Sequence, residues 1–157
     1  MNEDINTLRR ILKQSKTIAV VGLSANWWRP SFFAAKYLQE HGYRIVPVNP
    51  QYATVLNEKC YAKLRDIPFP VDVVDCFRKS EEISALADDA VAIGAKVLWL
   101  QLGVINQEAA RKASEAGLEV VMDRCMKIEH GRLFGGLNWC GVNTRVISAR
   151  RPNYLPY

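Results

Sequence analysis

The sequence has 157 residues and a formal net charge of +5, with 49% hydrophobic and 24% charged residues, an ordinary composition for one globular domain and unlike that of a disordered chain. Its most apolar stretch, residues 91–105, is interrupted by Lys96 and Gln101 and falls short of the ~20 residues that cross a bilayer; the Met-Asn-Glu-Asp start has acids where a secretory signal has bases, so a cytoplasmic protein with no membrane contact is expected. Basic and acidic residues are interleaved apart from Arg150-Arg151, which argues against a nucleic-acid partner, while a modest positive excess suits a small polyphosphate ligand.

In chain order, residues 3–14 place Ile5, Leu8, Ile11 and Leu12 on one side of a helix, which predicts an N-terminal segment (1–14) packed over a sheet edge. A core over residues 15–133 follows, and residues 134–157 form a C-terminal extension of the same single domain. Three places in the core share one grammar: a helix-like run ends at glycine, and one residue, a charge and an apolar run follow. They are Gly42-Tyr43-Arg44-Ile45, Gly94-Ala95-Lys96-Val97 and Gly117-Leu118-Glu119-Val120. Glycine just past a helix adopts the left-handed conformation cheaply, and the apolar run after it suits a sheet buried on both faces. Each is therefore a helix-to-strand joint.

The helices between have apolar stripes, Ala34, Tyr37, Leu38 and His41 in one and Ile83, Leu86, Ala87, Ala90 and Val91 in another. Pro30, Ser80 before Glu81-Glu82, and Asn106 supply start signals. Five strands result, at about 17–23, 43–48, 71–76, 96–100 and 118–122. Strands alternating with helices predict an α/β, Rossmann-like open parallel sheet with helices on both faces. The connection over residues 50–70 replaces a regular crossover helix, with a short helical turn near Ala62 to Asp66. Long irregular connections at a ligand-binding end are often functional.

After the first strand, Gly22-Leu23-Ser24 leads to Arg29-Pro30-Ser31 and a helix, the layout of a phosphate cradle at a helix N-terminus. The Gly-x-Gly-x-x-Gly fingerprint is absent, since Gly22 is the only glycine there, and no Gly-Lys-Ser/Thr occurs. At the end of strand two, Asn49-Pro50 stands where NAD enzymes place an acid on the ribose hydroxyls; a ribose bearing a phosphate is not repelled there. Arg29, and Arg78 after strand three beside Phe77, lie at strand carboxyl ends, where open α/β sheets bind ligands. Gln101 and Gly103 follow strand four. Cys125 follows strand five and is open to two readings, a reactive thiol or a small apolar residue. The four cysteines, Cys60, Cys76, Cys125 and Cys140, are scattered and read as free thiols with no metal site.

Together these fragments resemble the small bacterial CoA-binding proteins, whose fold is similar to the CoA-binding domain of the succinyl-CoA synthetase α subunit. The likeness rests on Ala19-Val-Val-Gly-Leu-Ser24, Arg29-Pro-Ser31, Gly42-Tyr-Arg-Ile-Val-Pro-Val-Asn-Pro50, Val71-Asp-Val-Val-Asp75 with Phe77-Arg78, Gly94-Ala-Lys-Val-Leu-Trp-Leu-Gln-Leu-Gly103 and Val121-Met-Asp-Arg-Cys125. The resemblance implies a strand order 3-2-1-4-5 with a topological switch beside strand one. It implies coenzyme A across the strand carboxyl ends, phosphates near Ser24, Arg29 and Ser31 and adenosine near Asn49-Pro50. The cofactor-binding set is Gly22, Leu23, Ser24, Arg29, Pro30, Ser31, Asn49, Pro50, Phe77, Arg78 and Gln101. Two features depart from the family pattern: Met126 replaces a proline after the cysteine, and Trp27-Trp28 sit where polar or proline residues are usual. The tryptophans are open to stacking on adenine, covering the ligand or meeting a partner chain.

Succinyl-CoA synthetase phosphorylates a histidine in a second domain, which this chain is expected to lack. His41 reads as a cap or core residue, His130 has no nucleophile or metal signature around it, and no Ser-His-Asp or His-Glu-x-x-His pattern occurs. The expectation is non-catalytic binding of coenzyme A or an acyl-CoA. The alternatives are an NAD(P)-dependent enzyme or regulator with an atypical phosphate loop, and a CoA-site subunit of a separate acyl-CoA ligase. The extension over 134–157 is open to an added strand, a cover for one edge of its own domain, or a homo-oligomer contact.

Overall fold

A computed structural model describes residues 4–135. Helix α1 (Ile5–Gln14) is capped by Asp4, whose carboxylate accepts the amides of Asn6 and Thr7 at 2.7 and 2.8 Å, and it buries Leu8, Ile11 and Leu12 as its periodicity predicts. Strand β1 (Thr17–Val21), helix α2 (Pro30–Glu40) and strand β2 (Arg44–Val48) follow. Next come a short hairpin, β3 (Thr54–Val55) and β4 (Glu58–Lys59), and a 3-10 turn at Leu64–Asp66. The remaining elements are β5 (Val73–Cys76), α3 (Ile83–Ala92), β6 (Val97–Leu100), α4 (Gln107–Glu115), β7 (Glu119–Val121) and α5 (Met126–Leu133). All three helix-to-strand joints carry their glycine at positive φ. Asn106 caps α4 through the Ala109 amide at 2.9 Å. Ser80, by contrast, is no cap: it opens a 3-10 turn before α3, and its hydroxyl accepts the Ile105 amide.

The main sheet is parallel throughout and runs β2-β1-β5-β6-β7. The five-stranded α/β architecture is as expected, but the segment foreseen as the third strand, β5, pairs with the far side of β1 and not beyond β2. The place outside β2 is held by a single parallel bridge, Val48 to Tyr61. Counting Tyr61 as a vestigial third strand restores the 3-2-1-4-5 pattern, with β5 fourth, β6 fifth and β7 added at the edge. The physical reason lies in the 50–70 connection, which spends its length on the β3–β4 hairpin and one turn and leaves a single residue to pair.

Alternation along the strands divides the core. Ile18, Val20, Val73, Trp99 and Val121 face Leu8, Leu12, Leu38 and Met126 on one side. Ala19, Val21, Val74, Leu98 and Leu100 face Ala87, Ala90, Ala109 and Ala113 on the other. The small alanines of α3 and α4 let those helices lie close to the sheet. The chain switches direction around β1: α2 carries it to β2 on one side, and the later connection brings it to β5 on the other. The carboxyl ends of β1 and β5 therefore part into a crevice.

Candidate functional site

That crevice opens into a cleft of about 930 Å³. One wall is the loop after β1, pinned on both flanks: Gly22 donates its amide to the Val48 carbonyl at 2.8 Å, and Phe77 donates to the Val21 carbonyl at 2.9 Å. Gly22 has φ +82°, and a Cβ built there would lie 2.3 Å from the Phe77 carbonyl oxygen and 3.2 Å from Arg78 Nε. Glycine is required at this point both by its left-handed conformation and by the approach of the next loop.

The rest of the loop is ordered by its own side chains. Ser31 Oγ accepts the Ser24 amide at 3.1 Å, Ser24 Oγ accepts the Asn26 amide at 3.1 Å, and Asn26 Oδ1 accepts the Trp28 amide at 3.0 Å. Helix α2 then starts at Pro30 with Arg29 in the cap position and no side-chain cap bond. Its positive dipole end and Arg29 both line the cleft. Arg78 and Lys79 face it from the loop after β5, with Glu82 beside them.

Of the residues singled out from sequence, Gly22, Ser24, Arg29, Pro30, Ser31, Asn49, Phe77, Arg78 and Gln101 line this one cleft. Leu23 does not: its side chain is wholly buried in the core, and only its carbonyl takes part, accepting Asn49 Nδ2 at 3.1 Å. Pro50 lies on a neighbouring cavity of about 490 Å³, with Lys63, Leu86 and Asp89, which touches the cleft through Arg78 and Glu82. Asn49 is more than a missing acid. Its side chain bonds Leu23 and receives the Gln51 amide at 3.0 Å, bracing the ends of β1 and β2 together. Trp27 and Trp28 stack on each other at 3.9 Å and are 56% and 68% exposed, outside the cleft lining.

Sequence reasoning passed over Asn26, Gln51, Tyr52, Lys79, Leu102 and Ile128, all on the lining. Most stand one or two positions from a residue it did choose, so proximity at a strand end was the available signal. Cys125 lines the cleft too, at the start of α5. Burial pushes its thiol pKa up, with the Asp75 carboxylate acting in the same direction against amide bonds from α5. The cleft floor holds a polar pair: Gln101 Nε2 donates to Asp75 Oδ1 at 2.6 Å, and Asp75 is fully buried. The histidines are elsewhere. His130 Nδ1 meets the Tyr37 hydroxyl at 3.0 Å, and His41 stacks on Tyr37. Among the described residues no group of His, Cys, Asp or Glu is arranged to hold a metal. No described helix is long and apolar enough to cross a membrane.

A family model described as CoA binding domain matches residues 16–131. The chain belongs to the CoA-binding domain family. The matched range opens just before β1 and closes within α5, so every residue of the cleft lies inside it. The uncharacterized protein YneT of Bacillus subtilis is 41% identical over 123 residues, covering 78% of this chain and 91% of that protein. A solved hypothetical protein from Pyrococcus horikoshii is 45% identical at a TM-score of 0.83, over 85% of this chain and 94% of the other. The match also reaches an ADP-forming acetate–CoA ligase II of Archaeoglobus fulgidus, 38% identical over 66 residues that make up 41% of this chain and 10% of the ligase.

Proposed function

We propose that this protein binds coenzyme A or an acyl-CoA in the cleft at the carboxyl ends of β1, β2, β5 and β6, and that it does so without catalysing a reaction. The observation that carries the reading is the convergence of Arg29, Arg78 and Lys79 from two loops on the open end of α2, in a chain of the CoA-binding domain family. Phosphates need such fixed positive charge and oriented donors. Ser31 fits this role: its oxygen accepts the Ser24 amide, which leaves its own O–H to donate to a phosphate. The adenosine would lie toward Asn49, Gln51 and Tyr52. The sulfur-bearing arm would run toward Gln101, Leu102, Val104, Cys125 and Ile128, the more apolar end.

Three placements support binding without catalysis. The Cys125 thiol is raised by burial and so mostly protonated near neutral pH. Cys76 is wholly buried, and both histidines pack around Tyr37. Titration calorimetry with coenzyme A, dephospho-CoA and NAD tests the reading: coenzyme A should bind tightest and NAD weakest. Equal affinity for all three would refute it. The partial match to an ADP-forming ligase favours a second reading, a CoA-site subunit for a separate ligase. Acyl-CoA synthesis that appears only when this chain is mixed with such a ligase component would establish that role.

A further inference from the structure

Phosphate binding makes no use of the acid at the bottom of the cleft. Asp75 lies on β5 in the middle of the sheet, level with Val20 of β1 and Trp99 of β6. It has no solvent exposure, and of its two oxygens only Oδ1 is served, by Gln101; Oδ2 has no hydrogen-bond partner among the described residues. Gln101 is the link to the ligand space, because it both bonds Asp75 and lines the cleft. An ionised carboxylate so placed is poorly compensated, whereas a protonated one is tolerated. Burial accordingly pushes the Asp75 pKa up to about 7, against the opposing bond from Gln101.

Few charges face it. β1 brings Val20, β6 brings Trp99, the residue after β6 is Gln101, and Cys76 adjoins it on β5. The start of α5 brings the Cys125 thiol, and Glu129 farther along that helix is engaged by Arg132 and Arg124. On the cleft side stand Arg29, Arg78, Lys79 and Glu82. A CoA-type ligand would change this balance in one direction by two routes. Its phosphates bring negative charge into the cleft, and its arm replaces water above Gln101.

We propose that the cleft binds its ligand and a proton together, the proton going to Asp75. This rests on the reading of the cleft as a coenzyme A site. The carboxylate takes up one proton from solvent as the ligand enters and returns it as the ligand leaves, so affinity falls as pH rises from about 7 toward 9. The fall is about tenfold for each unit by which the ligand raises the Asp75 pKa. Ionisation of the ligand's phosphate monoester near pH 6 lies below this window and is common to every variant.

The test is titration of coenzyme A at pH 7.5 in two buffers of different ionisation enthalpy, with the unmodified protein and with Asp75→Asn, which keeps an acceptor for Gln101 but cannot titrate. Proton uptake in the unmodified protein that is lost in D75N is the expected result. Binding with equal proton uptake in both overturns the proposal and leaves the coenzyme A site standing. Absence of binding to the unmodified protein overturns both. If D75N fails to fold, the 13C resonance of the Asp75 carboxyl in the unmodified protein decides: its titration midpoint should move up on adding coenzyme A, and an unmoved midpoint overturns the proposal.

Discussion

Gly22→Ala should damage the protein by a mechanism that Gly42→Ala lacks, and the difference between them can be worked from the structure. Both glycines have positive φ, +82° and +92°, so each alanine pays the left-handed penalty of about 1–2 kcal/mol. At Gly42 nothing lies within 4 Å of the added Cβ, and the cost ends there. At Gly22 the Cβ would be 2.3 Å from the Phe77 carbonyl oxygen and 3.1 Å from its carbon, backbone atoms held by the Phe77 bond to Val21. Overpacking of this kind adds about 1–3 kcal/mol. G22A should therefore lose about 2–5 kcal/mol, and for a chain of this length the melting temperature should drop by roughly 4–20 °C, against about 2–8 °C for G42A. Moving the Phe77 loop also displaces Arg78, so G22A should weaken coenzyme A binding while G42A leaves it unchanged. Urea unfolding and calorimetry read the two effects. Equal losses of stability in the two variants would refute the argument from close approach.

Arg29→Ala should weaken coenzyme A binding by about 1.5 kcal/mol, roughly tenfold in Kd, the lower end for a charge-assisted bond because Arg29 is solvent-exposed; calorimetry checks this. Stability should also depend on Asp75. Its folded pKa is raised from 3.8 to about 7, so between those values the folded state holds a proton that the unfolded state has lost. Stability should decline as pH climbs through that window, by at most about 1.4 kcal/mol per unit, and level off above it. D75N should flatten that part of the urea-unfolding profile between pH 4 and 7. Cys125, with its thiol raised by burial, should alkylate with iodoacetamide at pH 7 more slowly than a free cysteine, and coenzyme A should slow it further; mass spectrometry of the modified peptide follows both.

The parts of this fold that could be read from sequence are those set by local chemistry. Glycine after a helix and a charge before an apolar run marked all three joints, because each signal acts within a few residues. The position of β5 could not be read that way. Its neighbours are fixed by where the 50–70 connection travels, and that segment folds its β3–β4 hairpin around Leu56-Asn57, both at positive φ, without the Asn-Gly signature that announces such turns. The inward turn of the Leu23 side chain was not legible either, because a loop position does not reveal which way its side chain points. The Asp75–Gln101 pair joins residues 26 apart in sequence through the parallel register of β5 and β6. Its trace was visible nonetheless: Asp75 follows Val73-Val74 and precedes Cys76 within a strand expected to be covered on both faces. The expectations for the C-terminal extension, including a free Cys140 and an oligomer contact, concern residues 134–157, which lie outside the described residues apart from Phe134 and Gly135.

A crystal structure of the protein grown with coenzyme A would show whether the crevice between the β1 and β5 loops holds that ligand. Phosphate oxygens are expected within hydrogen-bond distance of Arg29, Ser31 or Arg78, with the sulfur-bearing arm over Gln101. Coenzyme A bound away from the Gly22 and Phe77 loops would contradict this placement.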